Sequence, residues 1–341
     1  MSIRVLVADD SLTLRKRIVE VLSERAEFEV VGEAKDGAEA IELCRGLRPD
    51  VMTLDMAMPV KSGLYVTEYL MAVCPTPILI VSCAEDTYAA LASGAVDVLE
   101  KVTDETDAAW DERLVSAIRV VSRVKVVTHR YSSLGKQLAK PIPIPLGKRT
   151  PQVLAIGAST GGPGAVLALL QGLPADFPLP ILVVLHQASA FSKALAEWLD
   201  EGSPLRTAFV SDGEVLPAPG QGRVLLAPPG KHLVLRDGLL RLSMGPERQF
   251  CRPSVDVLFE SVAQELGGAA LGCLLTGMGL DGAAGLLALR QAGALTFAQD
   301  EASSVVYGMA REAVRLKAVD HVLALDQMAP YLSSIVPGRA K

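Results

Sequence analysis

Histidine is scarce in this chain: its 341 residues hold four, His129, His186, His232 and His321, so chemistry that needs an imidazole has four places to happen. Cysteine is nearly as rare. The five present (Cys44, Cys74, Cys83, Cys251, Cys273) are odd in number and scattered, which excludes a disulfide framework or a C-x-x-C metal or redox motif and makes buried structural thiols the expectation. No block of five or more Lys/Arg occurs, and 33 basic against 39 acidic residues give a net charge of −6. The electrostatic footprint of a nucleic-acid or anionic-membrane binder is therefore missing. Apolar runs such as Ile181 to Leu185 are strand-length and fall far short of the ~18 residues of a membrane span. From Met1 the chain runs straight into the strand-like Ile3 to Ala8 and two aspartates, without the basic start, apolar core and cleavage site of a secretory signal. A cytoplasmic protein with no membrane insertion and no nucleic-acid partner is expected.

What is present suits full hydrophobic cores: 50% of residues are hydrophobic and 21% charged. At roughly 150 residues per domain the length predicts two domains. Short β-rich runs at Ile3 to Ala8, Phe28 to Glu33, Val51 to Leu54, Ile78 to Ser82 and Val96 to Glu100 alternate with helical-period segments, which implies a parallel doubly wound sheet over residues 1–126. Residues 127–150 change character, because Lys140-Pro141-Ile142-Pro143-Ile144-Pro145 favours extended chain, and are expected to be a linker. Alternation resumes over 151–336, with strands at Gln152 to Ala158, Ile181 to Leu185, Ala270 to Leu275 and Ala294 to Ala298. Arg223 to Ser243 breaks that pattern and is expected to be an added antiparallel hairpin, since Gly230 and Asp237-Gly238 divide short alternating runs. The fold class is α/β, with two doubly wound parallel-sheet domains.

Open parallel sheets bind ligands beyond the carboxyl ends of their strands, and the first domain's unusual residues fall there. Asp9 and Asp10 end the first strand, Asp55 the third, Ser82 the fourth and Lys101 the fifth. Converging carboxylates repel unless a hard divalent cation sits among them, and Mg²⁺ suits that role. A carboxylate beside the metal can then act as nucleophile toward a phosphoryl donor, with Ser82 and Lys101 binding the new phosphoryl oxygens. At Val5-Leu6-Val7-Ala8-Asp9-Asp10-Ser11, Leu54-Asp55-Met56-Ala57-Met58-Pro59, Gly63 and Lys101 the domain resembles the response-regulator receiver family, with its flavodoxin-like fold. The resemblance implies Asp55 as phosphoacceptor, Asp9, Asp10 and Asp55 as metal ligands, Ser82 and Lys101 as switch residues, and a histidine kinase as phosphodonor. Val102 stands where that family usually has proline.

In the second domain Gly157-Ala158-Ser159-Thr160-Gly161 fits G-x-S-x-G, which lifts a serine clear of the sheet near backbone N–H groups that can receive an oxyanion. A phosphate-binding turn is the competing reading. His186 follows the strand Ile181 to Leu185 on the same sheet edge and is the preferred base, with His232 as second choice. Asp281 supplies an acid at another strand end. The order Ser159, His186, Asp281 departs from that of α/β-hydrolases. A rival uses the same segment: Gly277-Met278-Gly279-Leu280-Asp281-Gly282 matches G-x-G-x-x-G, and Asp300 lies about 20 residues on, as in a dinucleotide fingerprint.

Ile156-Gly157-Ala158-Ser159-Thr160-Gly161-Gly162-Pro163, Arg252 to Phe259, Leu275-Thr276-Gly277-Met278-Gly279 with Asp281-Gly282, and Ala298 to Met309 resemble the chemotaxis protein-glutamate methylesterase family, the CheB type, in which a receiver precedes the catalytic domain. The resemblance implies Ser159 as nucleophile, His186 as base, Asp281 as orienting acid, and Thr160 and Met278 lining the oxyanion site. It also implies a phosphorylation-activated esterase acting on methylated chemoreceptors, deamidation of receptor glutamines, and no cofactor in the catalytic domain. The chain departs from the family at Gln187-Ala188 after the base, at Leu280 before the acid and at Ala310.

Overall fold

The computed structural model describes residues 2–83, 87–101, 107–124, 126, 150–186 and 192–336. Val102, Gln187-Ala188, His129 and all of the expected linker except Thr150 lie outside the described residues. The chain divides into two compact units, residues 1–134 and 135–341.

The first unit runs β1 (Ile3–Ala8), α1 (Leu12–Ser23), β2 (Phe28–Ala34), α2 (Gly37–Leu47), β3 (Val51–Leu54), α3 (Gly63–Val73), β4 (Ile78–Ser82), α4 (Thr87–Ala92), β5 (Asp97–Glu100) and α5 (Ala108–Val121). Its strands pair in parallel in the order β2-β1-β3-β4-β5. The chain leaves β1 for one side and returns on the other, so a crevice opens past the ends of β1 and β3. Every residue of β3 and β4 is buried, which is why these strands read as unbroken apolar runs. Helices start where short polar side chains take up free N–H groups. Ser11 accepts from Leu14, Asp36 from Ala38 and Glu39, and Ser62 from Tyr65.

The second unit runs β6 (Val153–Ala158), α6 (Gly162–Gly172), β7 (Ile181–Leu185), α7 (Ser192–Gly202), β8 (Thr207–Phe209), β9 (Glu214–Val215), β10 (Val224–Leu226), β11 (His232–Arg236), β12 (Leu239–Ser243), α8 (Val255–Leu266), β13 (Ala270–Leu274), α9 (Ala283–Gln291), β14 (Leu295–Gln299), α10 (Met309–Arg315), β15 (His321–Leu323) and α11 (Leu325–Ile335). The parallel sheet has the order β15-β14-β13-β6-β7-β10-β8, and β11-β12-β9 form a separate antiparallel sheet. The strand order reverses at β6, which places the mouth of this unit at the end of β6. Valines, leucines and Phe259 pack the core between the sheet and α8, α9 and α10.

The expected hairpin needs one correction. Asp237 and Gly238 take positive φ and turn β11 into β12 as the Asp-Gly pair suggested, but Val224–Leu226 belongs to the main sheet, parallel to β7 and β8. All three of its residues are buried, and a segment that short and that buried carries no alternation from which to read its neighbours. The three-residue strands β8 and β15 escape sequence reading for the same reason of length.

Candidate active site

In the first unit, register brings the acidic residues together. Asp55 N–H donates to Ala8 O (2.9 Å) and Asp9 N–H to Ala34 O (3.1 Å), so both aspartates leave neighbouring strands at one level. Lys101 reaches in from the end of β5, with Nζ 2.9 Å from Asp9 Oδ2 and 2.8 Å from Asp55 Oδ2, and its N–H donates to the carbonyl of buried Ser82 (3.2 Å). Burial pulls the Lys101 ammonium toward losing its proton, but Asp55 and Asp9 more than offset this and hold it above its ordinary value. At Asp9, burial pushes the carboxyl up more than Lys101 and the Ser11 N–H pull it down. Asp9, Asp10 and Asp55 each bring an oxygen to within 4.8 Å of the others. Asp55 Oδ1 is buried without a hydrogen-bond partner, while Asp10 is exposed. An orphaned carboxylate oxygen beside two more oxygen donors fits a hard cation such as Mg²⁺, which keeps part of its water shell. Gly63 is required here by close approach, because a Cβ would lie 2.3 Å from Asp55 O.

In the second unit three strand ends meet around β6. Ser159 follows β6, and its N–H donates to Thr276 O beyond β13 (3.0 Å), while His186 N–H beyond β7 donates to Ala158 O (3.2 Å). His186 Nε2 lies 2.8 Å from Asp281 Oδ2. The acid is buried and further accepts from Ser254 Oγ (2.7 Å) and from the N–H groups of Val255 (2.7 Å), Asp256 (3.0 Å) and Gly282 (3.1 Å). Three of these residues begin α8, so the helix terminus and its Ser254 cap form an anion cradle. Burial alone would push the Asp281 carboxyl up, but the bond with His186 and the donors from Asp256 and Ser254 outweigh it and hold it below its ordinary value. Burial would pull His186 down, yet Asp281 first, and then Cys251, push it up to about 9.

The Asp281 contact keeps the imidazole proton on Nε2, so Nδ1 is the nitrogen left to accept another. Cys251 Sγ stands 3.7 Å from it. The five cysteines are thus not all buried structural thiols: Cys44, Cys74 and Cys273 are, Cys83 is exposed, and Cys251 is half-buried beside an imidazole. Among the described residues no hydrogen bond joins Ser159 Oγ to His186. The structure brings His186 and Asp281 into contact and Ser159 to the same rim, one strand away from His186. Thr160 O accepts from Thr276 Oγ1 (3.0 Å), and Met278 is half-exposed on the same loop as Asp281. Gly277 is forced by closeness, since a Cβ there would lie 2.8 Å from Ser159 Cβ and clash with Met309 Sδ.

His232 is no substitute base. It is buried, its Nδ1 accepts from Ser254 N–H (3.1 Å) and its Nε2 donates to Pro246 O (3.0 Å), so both nitrogens are committed to the backbone. The dinucleotide alternative also loses its residues. Asp281, inside the glycine motif, is bonded to His186, and the Asp300 carboxylate closes its own turn by accepting from Ser303 N–H (3.0 Å) and Oγ (2.6 Å). Ser254 belongs to the site although the sequence does not single it out. Its visible signal is a serine just before the apolar-periodic segment Val255 to Leu266, which marks a helix cap but not the anion that the cap serves.

Asp256 is the neighbouring oddity. Its Oδ1 accepts from Gly285 N–H (2.7 Å), while Oδ2 is buried with no partner, and burial pushes the carboxyl from 3.8 up to about 6. A folded-state value above the unfolded one means that the group's stabilisation is complete below pH ~4 and is lost as pH rises through 6. The rise corresponds to about 3 kcal/mol. Asp256→Asn is therefore expected to gain up to about that much over wild type in urea unfolding at pH 8, with the gain vanishing near pH 4.

Residues 154–332 match the CheB methylesterase family and residues 5–109 match the response regulator receiver domain. This chain belongs to the CheB methylesterase family. A protein-glutamate methylesterase/protein-glutamine glutaminase 2 of Anaeromyxobacter dehalogenans (strain 2CP-C) is 46% identical over 331 residues, covering 96% of this chain and 95% of that one. A protein-glutamate methylesterase/protein-glutamine glutaminase 4 of Myxococcus xanthus (strain DK1622) is 41% identical over 352 residues, covering 98% of each. The crystal structure of the Thermotoga maritima CheB methylesterase catalytic domain superposes with a TM-score of 0.52 at 32% identity, covering 55% of this chain and all of that one. Membership of the CheB methylesterase family favours hydrolysis over a dinucleotide-binding module. No described helix is long and apolar enough to cross a membrane.

Proposed function

We propose that this chain is a phosphorylation-activated serine esterase that hydrolyses glutamate methyl esters on chemoreceptors, releasing methanol, and that also deamidates receptor glutamines. The receiver occupies residues 1–126, the linker 127–150 and the catalytic domain 151–336, and the protein works in the cytoplasm. The observation that carries this reading is the His186–Asp281 pair, 2.8 Å apart on the sheet edge that Ser159 shares, with Asp281 cradled by the start of α8.

In this mechanism His186 Nδ1 takes the proton of Ser159 Oγ as the oxygen attacks the ester carbonyl. Asp281 holds Nε2–H and stabilises the imidazolium. The oxyanion lies against the Thr160 and Met278 segments, which line the site. Collapse of the tetrahedral intermediate expels methanol with the proton from His186. Water, activated by the same nitrogen, then frees the carboxylate and restores Ser159. A glutamine substrate follows the same steps and releases ammonia. In the receiver, Asp55 accepts the phosphoryl group from a histidine kinase, and Ser82 and Lys101 bind its oxygens. Asp9, Asp10 and Asp55 would hold Mg²⁺, which supplies positive charge to the phosphoryl oxygens when bound.

Labelling by a fluorophosphonate probe tests the chemistry: a single adduct on Ser159, with methanol released from methylated receptor by unlabelled protein, is expected. A protein that neither reacts with the probe nor releases methanol would be no esterase.

The pH profile has a stated sign. An imidazole pushed up to about 9 is neutral, and so able to act as base, in about one molecule in a hundred at pH 7. The ascending limb of kcat/KM against pH is therefore expected to lie well above the ordinary histidine value of about 6.5, toward 9. A limb centred at or below 6.5 would show that Asp281 does not raise His186.

A further inference from the structure

The loop leading to Cys251 carries a feature that the hydrolytic steps leave unused. Arg248 N–H donates to Cys251 O (3.1 Å) and Cys251 N–H to Arg248 O (2.9 Å), which closes a two-residue turn over Gln249 and Phe250. Both central residues have positive φ, 52° and 61°. Turns of this hand are ordinarily built from Asn, Asp and Gly, because a larger side chain crowds the left-handed backbone. Phenylalanine is poorly suited to that position, and this one is also 96% exposed. The ring recovers almost nothing by burial, so Phe250 strains the fold without packing into it.

Its place gives it a use. The next residue, Cys251, has its sulfur 3.7 Å from His186 Nδ1, the proposed proton acceptor. On the segment that brings Asp281 to the other nitrogen, Met278 and Leu280 are further large apolar side chains, 48% and 53% exposed. Both loops that reach the imidazole therefore hold apolar side chains out into solvent. A small ester seated on Ser159 leaves these groups in water, whereas a protein surface that carries the ester covers them.

We propose that Phe250 is a specificity residue that docks the folded receptor surface surrounding the scissile ester, so that the enzyme selects a protein-borne glutamate methyl ester over a free one. This rests on the esterase reading. An aromatic ring on a short side chain offers a large contact area for little lost rotamer freedom.

Phe250→Gly tests it without endangering the fold, because glycine takes a φ of 61° with no Cβ crowding. Its Tm is expected to hold or rise. The ratio of kcat/KM for methylated receptor to kcat/KM for p-nitrophenyl acetate is expected to fall about tenfold, carried by KM for the receptor, and Phe250→Trp to restore it. An unchanged ratio in Phe250→Gly, with wild type active on both esters, overturns the inference and leaves the esterase intact. A wild type that turns over neither ester overturns both.

Discussion

Alanine at His186 is expected to lower kcat for ester hydrolysis by several powers of ten, on the order of 10³- to 10⁶-fold, while the chain still melts cooperatively. The fold survives because Asp281 keeps Ser254 Oγ and three backbone N–H groups as partners when the imidazole is gone. Ser159→Ala should lose about as much, and the double variant little more, since the two groups act as one unit. Asp281→Asn belongs to a different class. An amide that replaces the carboxylate sets its own N–H donors against a ring of donors, leaving buried groups unsatisfied at about 1–3 kcal/mol as well as freeing the imidazole. It should therefore lose both activity and thermal stability, whereas His186→Ala loses activity alone. Turnover by a methanol-release assay beside circular-dichroism melts separates the two. Near-wild-type turnover in His186→Ala would remove it as base, and His232 offers no replacement, with both nitrogens bonded to the backbone.

Activation by phosphorylation should be the second large effect. Phosphorylation of Asp55 places about two negative charges at the end of β3, where Lys101 already bridges Asp9 and Asp55. On the proposed reading Lys101 and Ser82 would follow the new oxygens, and that face of the receiver would shift between two arrangements. If the esterase is restrained in one of them, typical coupling of ~1–3 kcal/mol corresponds to activation of ~5–150-fold by a small phosphodonor with Mg²⁺. Asp55→Asn should abolish the response, and a chain truncated to residues 147–341 should be more active than the unphosphorylated full-length protein. Continued activation of Asp55→Asn by the donor, or a truncated chain no faster than the full one, would sink the idea.

How much of this was legible beforehand follows from what short stretches of chain encode. Continuous apolar runs such as Ile181 to Leu185 can bury both faces only in a covered parallel sheet, so the doubly wound architecture and the two separate rims, one carrying Asp9 and Asp55 and the other Ser159, His186 and Asp281, are readable from periodicity and strand ends. Turn chemistry is equally local: Asp237-Gly238 announces its hairpin, and Ser254 announces the start of a helix. Partner choice is not local. That Asp281 meets Nε2, leaving Nδ1 beside Cys251, depends on how β7, β13 and α8 pack, as does the cradle of N–H groups contributed from 25 and 26 positions away. The same packing spends both nitrogens of His232 on the backbone and draws Val224–Leu226 into the main sheet. Periodicity records which residues leave water, but hydrogen bonds are directional and close over a few tenths of an ångström, so only the assembled elements decide which buried groups face one another.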